Sequence, residues 1–267
     1  MKPTNYFATH PVFRFEEFAS AHREGDARKP EASQAVLKQH VRAGNLLRIR
    51  RGLYAVVPRG TSLDNLQLDP YPLASHLAPD AVVAYHAALQ FHGKAHSVFR
   101  RFTFLTRTRA KPFTFRGSEF VPVPVPPPLR DLPDLGGGIL VQRHAGGLVR
   151  VTTLERTLVD VLDAPRHGGG WEEIWRSLES VEFFDLDAVI EYARKLSSAV
   201  ACARIGFFLE QHRERLMVED AHLNRLREFA PRGPRYFDPS RRPGKLVPGW
   251  NLVVPDQVLN RSWEEVP

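Results

Sequence analysis

Lys29 to Val57 reads KPEASQAVLKQHVRAGNLLRIRRGLYAVV. From Ser33 to Ala43 the apolar residues Val36, Leu37 and Val41 gather on one side of a 3.6-residue helix, while Gln34, Lys38, Gln39 and Arg42 take the other. Gly44 stands where a left-handed residue is needed to close a helix, which predicts the C-terminal end there. Directly afterwards Leu47, Ile49 and Arg51 alternate with Arg48 and Arg50, and Arg51-Gly52 supplies a turn. Leu53 to Val57 then returns as the partner strand. Pro58 ends it, because proline has no N–H to give to the ladder. The stretch predicts one helix followed at once by a basic two-stranded ribbon.

That order is found in winged helix-turn-helix domains, where the helix enters the major groove and the wing lies along phosphates. The alternative is an ordinary α+β corner whose charges are merely solvated, and charge distribution tips the balance toward the winged helix. Residues 1 to 60 hold 11 Lys/Arg against 5 Asp/Glu, a balance of +6, whereas residues 61 to 267 hold 26 against 25, a balance of +1. An excess gathered on one small module points to a polyanionic partner. Membrane headgroups fit less well, since no large apolar face lies opposite the basic one.

Outward toward the N-terminus, Phe13, Phe15, Phe18 and Ala19 have the spacing of a supporting helix, with Glu16 and Glu17 in its first turn where the helix dipole favours acids. Residues 1 to 12 show no clear period. The loop Glu24 to Glu31 brings Arg28 and Lys29 to the start of the second helix, where backbone amides can also face phosphate. Toward the C-terminus, Pro58 to Pro72 is rich in turn residues and predicts a boundary between a domain over 1–60 and a larger one over 73–267.

The larger domain is expected to be mixed α/β with a mostly helical C-terminal half. Val82 to His92 reads as a short buried helix, and Phe102 to Thr106 and Phe113 to Arg116 as strands. The segment from Arg100 to Arg116 carries six cations and no acid. VPVPVPPP at 121–128 predicts an edge or polyproline II segment, because alternate residues lack a donor. Ile139 to Val141 and Leu148 to Val151 suggest a hairpin. Thr152 and Glu155 form a capping box for a helix over Leu154 to Leu162. Trp171–Val181, Leu186–Leu196, Ser198–Arg215 and Glu219–Phe229 have helical apolar spacing, and Leu252 to Val254 is strand-like. Residues 151–229 balance at 10 Lys/Arg to 15 Asp/Glu. The overall class is α+β.

The single Cys202 excludes an internal disulfide and suits a reducing compartment. No apolar run approaches the ~20 residues of a membrane span, and no secretory core follows Met1, so a cytoplasmic location is expected. His86, His92 and His96 lack one-face spacing and a completing ligand, which favours structural roles. Asp185 and Asp187 read as acids at a helix start. There is no P-loop and no G-x-S-x-G elbow. A metal-dependent nuclease delivered by the basic module is the alternative function, but among the predicted strands only Glu119 offers it a carboxylate. A protein-binding scaffold is a third reading. No catalytic residue, cofactor site or metal site is expected.

Three segments, LLRIRRGLYAV, AYHAALQFHG and VTTLERTLVDVLDAP, together resemble the AbiEi family of antitoxins from type IV toxin–antitoxin (abortive infection) systems, over roughly residues 13 to 230. The resemblance implies an N-terminal winged helix-turn-helix domain that represses its own promoter by binding inverted repeats in double-stranded DNA. It also implies a C-terminal antitoxin domain that counters a nucleotidyltransferase-like toxin without a stable complex. The DNA-reading role then falls on Ser33, Gln34, Lys38, Gln39 and Arg42 of the helix and on Arg48, Arg50 and Arg51 of the wing, with Arg28 and Lys29 beside them.

Overall fold

The computed structural model describes residues 2–23 and 30–263. The fold is α+β, and the chain divides into two compact units. One comprises Met1–Val83, Arg100–Val123 and Leu140–Val151; the other comprises Ala84–Phe99, Pro124–Ile139 and Thr152–Pro267.

The first unit opens with α1 (Pro3–Thr9), β1 (Val12–Arg14), α2 (Phe15–Arg23), α3 (Pro30–Arg42), β2 (Leu46–Arg50) and β3 (Leu53–Val56). The three strands form one sheet in the order β1-β3-β2. Val36, Leu37 and Val41 do turn inward, toward a core built from Tyr6, Phe7, Phe13, Phe18, Leu46 and Tyr54. Phe13 lies on a strand rather than on the supporting helix: Val12 and Phe13 pair with Ala55 and Tyr54, and α2 begins only at Phe15. A three-residue strand leaves no period of its own to read. Gly44 ends α3 as expected, with φ of 73°. Its amide donates to the Val41 carbonyl (3.1 Å) and that of Asn45 to His40 (3.0 Å). This is the paired closure that occupies the last free carbonyls of a helix. Gly52, at φ 76°, makes the turn between β2 and β3.

The rest of this unit holds α4 (Pro70–Ser75), β4 (Val82–Val83), β5 (Arg101–Thr106), β6 (Phe113–Phe115), β7 (Ser118–Pro124), β8 (Ile139–His144) and β9 (Gly147–Thr152). Its sheet runs β6-β7-β5-β4-β9-β8, with β4 antiparallel to β5 and parallel to β9. The expected boundary at 58–72 lies inside this unit. Leu66 is buried there, and the Arg116 guanidinium donates to the carbonyls of Leu63, Asp64 and Leu66. The proline-rich strand β7 is interior rather than an edge. It lies between β6 and β5; its pairing with β6 stops at Phe120, and the Glu119 amide donates to the Arg100 carbonyl on the other side. By alternation Pro122 and Pro124 face the β6 side beyond the end of β6, where no ladder bond is lost.

The second unit contains α5 (His86–Phe91), α6 (Leu154–Asp163), α7 (Trp171–Glu179), α8 (Leu186–Leu196), α9 (Ala199–Gln211), α10 (Asp220–Arg227) and α11 (Asp256–Leu259). A small sheet of β10 (Arg235–Tyr236), β11 (Lys245–Val247) and β12 (Leu252–Val254) has the order β10-β12-β11. The cap of α6 is Thr153, not Thr152: its hydroxyl accepts the Arg156 amide at 3.3 Å, while the Thr152 hydroxyl is spent on that of Thr157. Asp185 caps α8 through the Ala188 amide at 3.0 Å, and Asp187 pairs with Arg225. Arg156 is buried, donating to the carbonyls of Leu135 and Gly137 and to Asp160. Among the described residues no helix is long and apolar enough to cross a membrane.

Candidate nucleic-acid interface

The outer side of α3 carries Gln34, Lys38 and Arg42 at intervals of four, which stacks them in one stripe along the helix. All three are exposed. The β2–β3 hairpin places Arg48 and Arg51 opposite that stripe, and these five side chains line a single open concavity of about 720 Å³. Phe15 and Tyr54 also line it. Tyr54 is the cross-strand partner of Arg48, so ring and cation share a face of the hairpin. Among the described residues the one carboxylate on the rim, Glu16, already lies 3.6 Å from the Arg14 guanidinium. Four cations against one compensated acid make the local field positive. Such a surface can hold phosphate oxygens on the arginines and offer the Gln34 amide to a planar hydrogen-bonding edge.

The remaining expected residues go elsewhere. Gln39 is exposed on α3 but lies outside the concavity. Ser33 is fully buried, its hydroxyl 3.3 Å from His22 Nδ1, so it ties α3 to α2 and does not reach solvent. Arg28 and Lys29 lie outside the described residues.

Arg50 turns away from Arg48. The register shifts between these two residues, and the extra residue of a bulge breaks the alternation that would have kept them on one side. The Arg50 guanidinium instead donates to the Leu77 carbonyl and stands 5.6 Å from the Phe113 ring centroid. Burial, and secondarily the nearby Arg14 charge, lowers its pKa below the usual arginine value.

The basic segment 100–116 also divides by role. Arg116 serves the carbonyls of the 63–66 stretch, Arg100 donates to the Arg116 carbonyl, and Arg101 lies 3.4 Å from Glu119. Arg107, Arg109 and Lys111 are exposed on the loop after β5. Asp80 fixes the start of that loop, accepting from the Arg107 amide (2.7 Å) and from the hydroxyls of Thr106 and Thr108. Burial alone would raise the Asp80 pKa, but these three donors outweigh it and hold the carboxyl below the ordinary carboxylate range. Asp80 had no local signature, because its partners lie 26 to 28 residues away.

In the second unit His86 Nε2 meets Glu173 Oε1 at 2.9 Å, and that oxygen also accepts from the Ser97 amide and the Ser177 hydroxyl. Burial lowers the His86 pKa against the pull of Glu173, and Nδ1 is buried without a hydrogen-bond partner. Both facts fit a neutral ring donating through Nε2. His92 Nε2 lies 2.7 Å from the Thr152 carbonyl. Among the described residues no three His, Cys, Asp or Glu side chains gather as a metal would require.

No family model and no curated protein matches the chain. Among solved structures it is similar to the crystal structure of the RV2827C protein from Mycobacterium tuberculosis, with a TM-score of 0.56 and 20% identity over 93% of this chain and 87% of that one. At that identity the likeness concerns the fold alone.

Proposed function

We propose that the protein is a DNA-binding transcriptional regulator whose residues 1–60 act as a winged helix, with α3 in the major groove and the β2–β3 hairpin as the wing. The observation that carries this reading is the shared concavity, in which Gln34, Lys38 and Arg42 of α3 face Arg48 and Arg51 of the hairpin. In this arrangement Arg48 and Arg51 hold backbone phosphates. Gln34 presents a bidentate amide to adenine, and Lys38 or Arg42 reaches guanine. Gln39, beside the stripe, is available to a flanking base.

The resemblance of LLRIRRGLYAV, AYHAALQFHG and VTTLERTLVDVLDAP to the AbiEi antitoxins extends the proposal. The protein represses its own promoter through inverted repeats. As a cytoplasmic antitoxin it counters a nucleotidyltransferase-like toxin without a stable complex and without a catalytic step of its own.

Fluorescence anisotropy with a labelled duplex covering the promoter tests the interface. Arg48→Ala/Arg51→Ala should weaken binding to every duplex by about tenfold or more, the scale of two lost charge-assisted contacts. Gln34→Ala should mainly erode the preference for promoter over scrambled duplex. Unchanged promoter affinity in the folded double variant would remove the wing from the interface.

A further inference from the structure

The segment 231–247, PRGPRYFDPSRRPGKLV, holds five cations, Arg232, Arg235, Arg241, Arg242 and Lys245, against the single acid Asp238. It builds two strands of the small sheet in the second unit, and nothing in the interface described above draws on it. The sheet register sets its outer face. Tyr236 pairs with Val253, and Val253 pairs with Leu246, so these three side chains stand in one row across three strands. On the neighbouring rungs Leu252 and Val254 of the central strand are wholly buried, as is Phe237, while Arg235 and Lys245 on the outer strands reach solvent. Tyr236 is 46% exposed and Leu246 49%, which leaves an aromatic and aliphatic row open to solvent.

Around this row lies a rim of positive charge whose nearby acids are each engaged by a cation; Asp256 lies 3.5 Å from Lys245. Asp238 accepts from Trp171 Nε1 (3.0 Å) and from the amide and hydroxyl of Ser240, and lies 3.5 Å from Arg242. Arg235, Tyr236 and Arg241 line a concavity of about 670 Å³ beside the sheet edge. Asp163 also lines it, but the buried Arg204 guanidinium offsets that charge. The amides of Arg235 and Phe237 both donate toward β12, so by alternation the Tyr236 amide faces the open edge as a further donor.

We propose that this face binds a single-stranded nucleic acid, with one base stacked on Tyr236 and the adjoining phosphates held by Arg235 and Arg241. A planar ring exposed on a sheet and flanked by guanidinium groups is the arrangement that single strands need: bases stack on the ring while the backbone follows the cations. A duplex keeps its bases stacked on one another and has none to offer the row. RNA and single-stranded DNA share this chemistry and differ at the 2′-hydroxyl.

The test uses the full chain and three labelled probes of one mixed 12-nucleotide sequence: RNA, single-stranded DNA and the DNA duplex. Anisotropy should show the single strands binding, and Tyr236→Ala should weaken them about tenfold, whereas Tyr236→Phe keeps the affinity. Arg235→Ala/Arg241→Ala should flatten the salt dependence by about 0.7 unit per lost cation. RNA bound more tightly than DNA names RNA as the ligand; equal binding means that base and phosphate alone are read. Arg48→Ala/Arg51→Ala should leave single-strand affinity intact. No single-strand binding, or single-strand binding that survives Tyr236→Ala in protein folded by circular dichroism, overturns the proposal. So does loss of single-strand binding in the Arg48→Ala/Arg51→Ala variant.

Discussion

Arg50 and Arg51 are adjacent and carry the same charge, yet they do different work. Arg51 lines the concavity beside α3, whereas Arg50 fastens β2 to the Leu77 carbonyl and the Phe113 ring. Alternation along 47–51 gave Arg48 and Arg50 equal standing as phosphate contacts. The bulge that separates them is a relation between two strands and leaves no trace in either strand alone. Arg50→Ala should therefore cost about 1–2 kcal/mol of stability, the scale of a charged hydrogen bond with a cation–π contact. Urea unfolding reads that loss. Duplex affinity of the folded variant should stay within about twofold of wild type, since RT is only about 0.6 kcal/mol and no phosphate contact is removed. A variant of full stability that binds DNA poorly would return Arg50 to the interface. Ser33 teaches the same point from the opposite side: a small polar residue at the start of a helix looked available, and the buried His22 beside it decided otherwise.

At the scale of elements, legibility followed the length and regularity of the apolar pattern. Helix α3 spans Pro30–Arg42 and was visible from its apolar stripe and from Gly44; α8 was legible from end to end. Strand β1 was not, because three residues cannot show a period of two against a following helix. Composition marks the loop between β5 and β6 only as basic, whereas Asp80, a residue outside it, accepts three hydrogen bonds at its start. Asp80→Ala removes the common acceptor of Thr106, Thr108 and the Arg107 amide. It should release the loop locally, raising the rate of trypsin cleavage after Arg107 and Arg109 by about fivefold or more. Cleavage after Lys111 should remain slow because Pro112 follows it. Mass spectrometry of early fragments reports both sites. Equal cleavage rates in wild type and variant would show that Asp80 does not set the loop's order.

At the scale of the whole molecule, compactness regroups the charge that sequence position had already concentrated. The first unit holds 19 Lys/Arg against 9 Asp/Glu, a balance of +10, while the second holds 18 against 21, a balance of −3. The boundary expected near residue 60 assigned the 100–116 segment to a separate domain. By compactness its six cations fall in the same unit as α3, and Arg116 donates to carbonyls 50 to 53 residues earlier. No local composition reveals a partner that distant. Net charge alone does not set the salt dependence of DNA binding; what matters is how many cations displace counterions from phosphates. The concavity presents four, Lys38, Arg42, Arg48 and Arg51. One of Lys38 and Arg42 reads guanine in the proposed docking, which leaves three on phosphate; each displaces about 0.9 counterion, so the logarithm of duplex affinity should fall against the logarithm of salt with a slope of about −2.7. The measurement is an anisotropy titration of the promoter duplex from about 50 to 200 mM salt, the range over which such contacts are lost. A slope near −5.4 would enlist Arg107, Arg109 and Lys111 as well, which Arg109→Ala/Lys111→Ala would confirm by making it shallower by about 1.8. A slope flatter than about −1 would mean that fewer than two cations touch phosphate, and the hairpin with its Arg48 and Arg51 could not then be a wing.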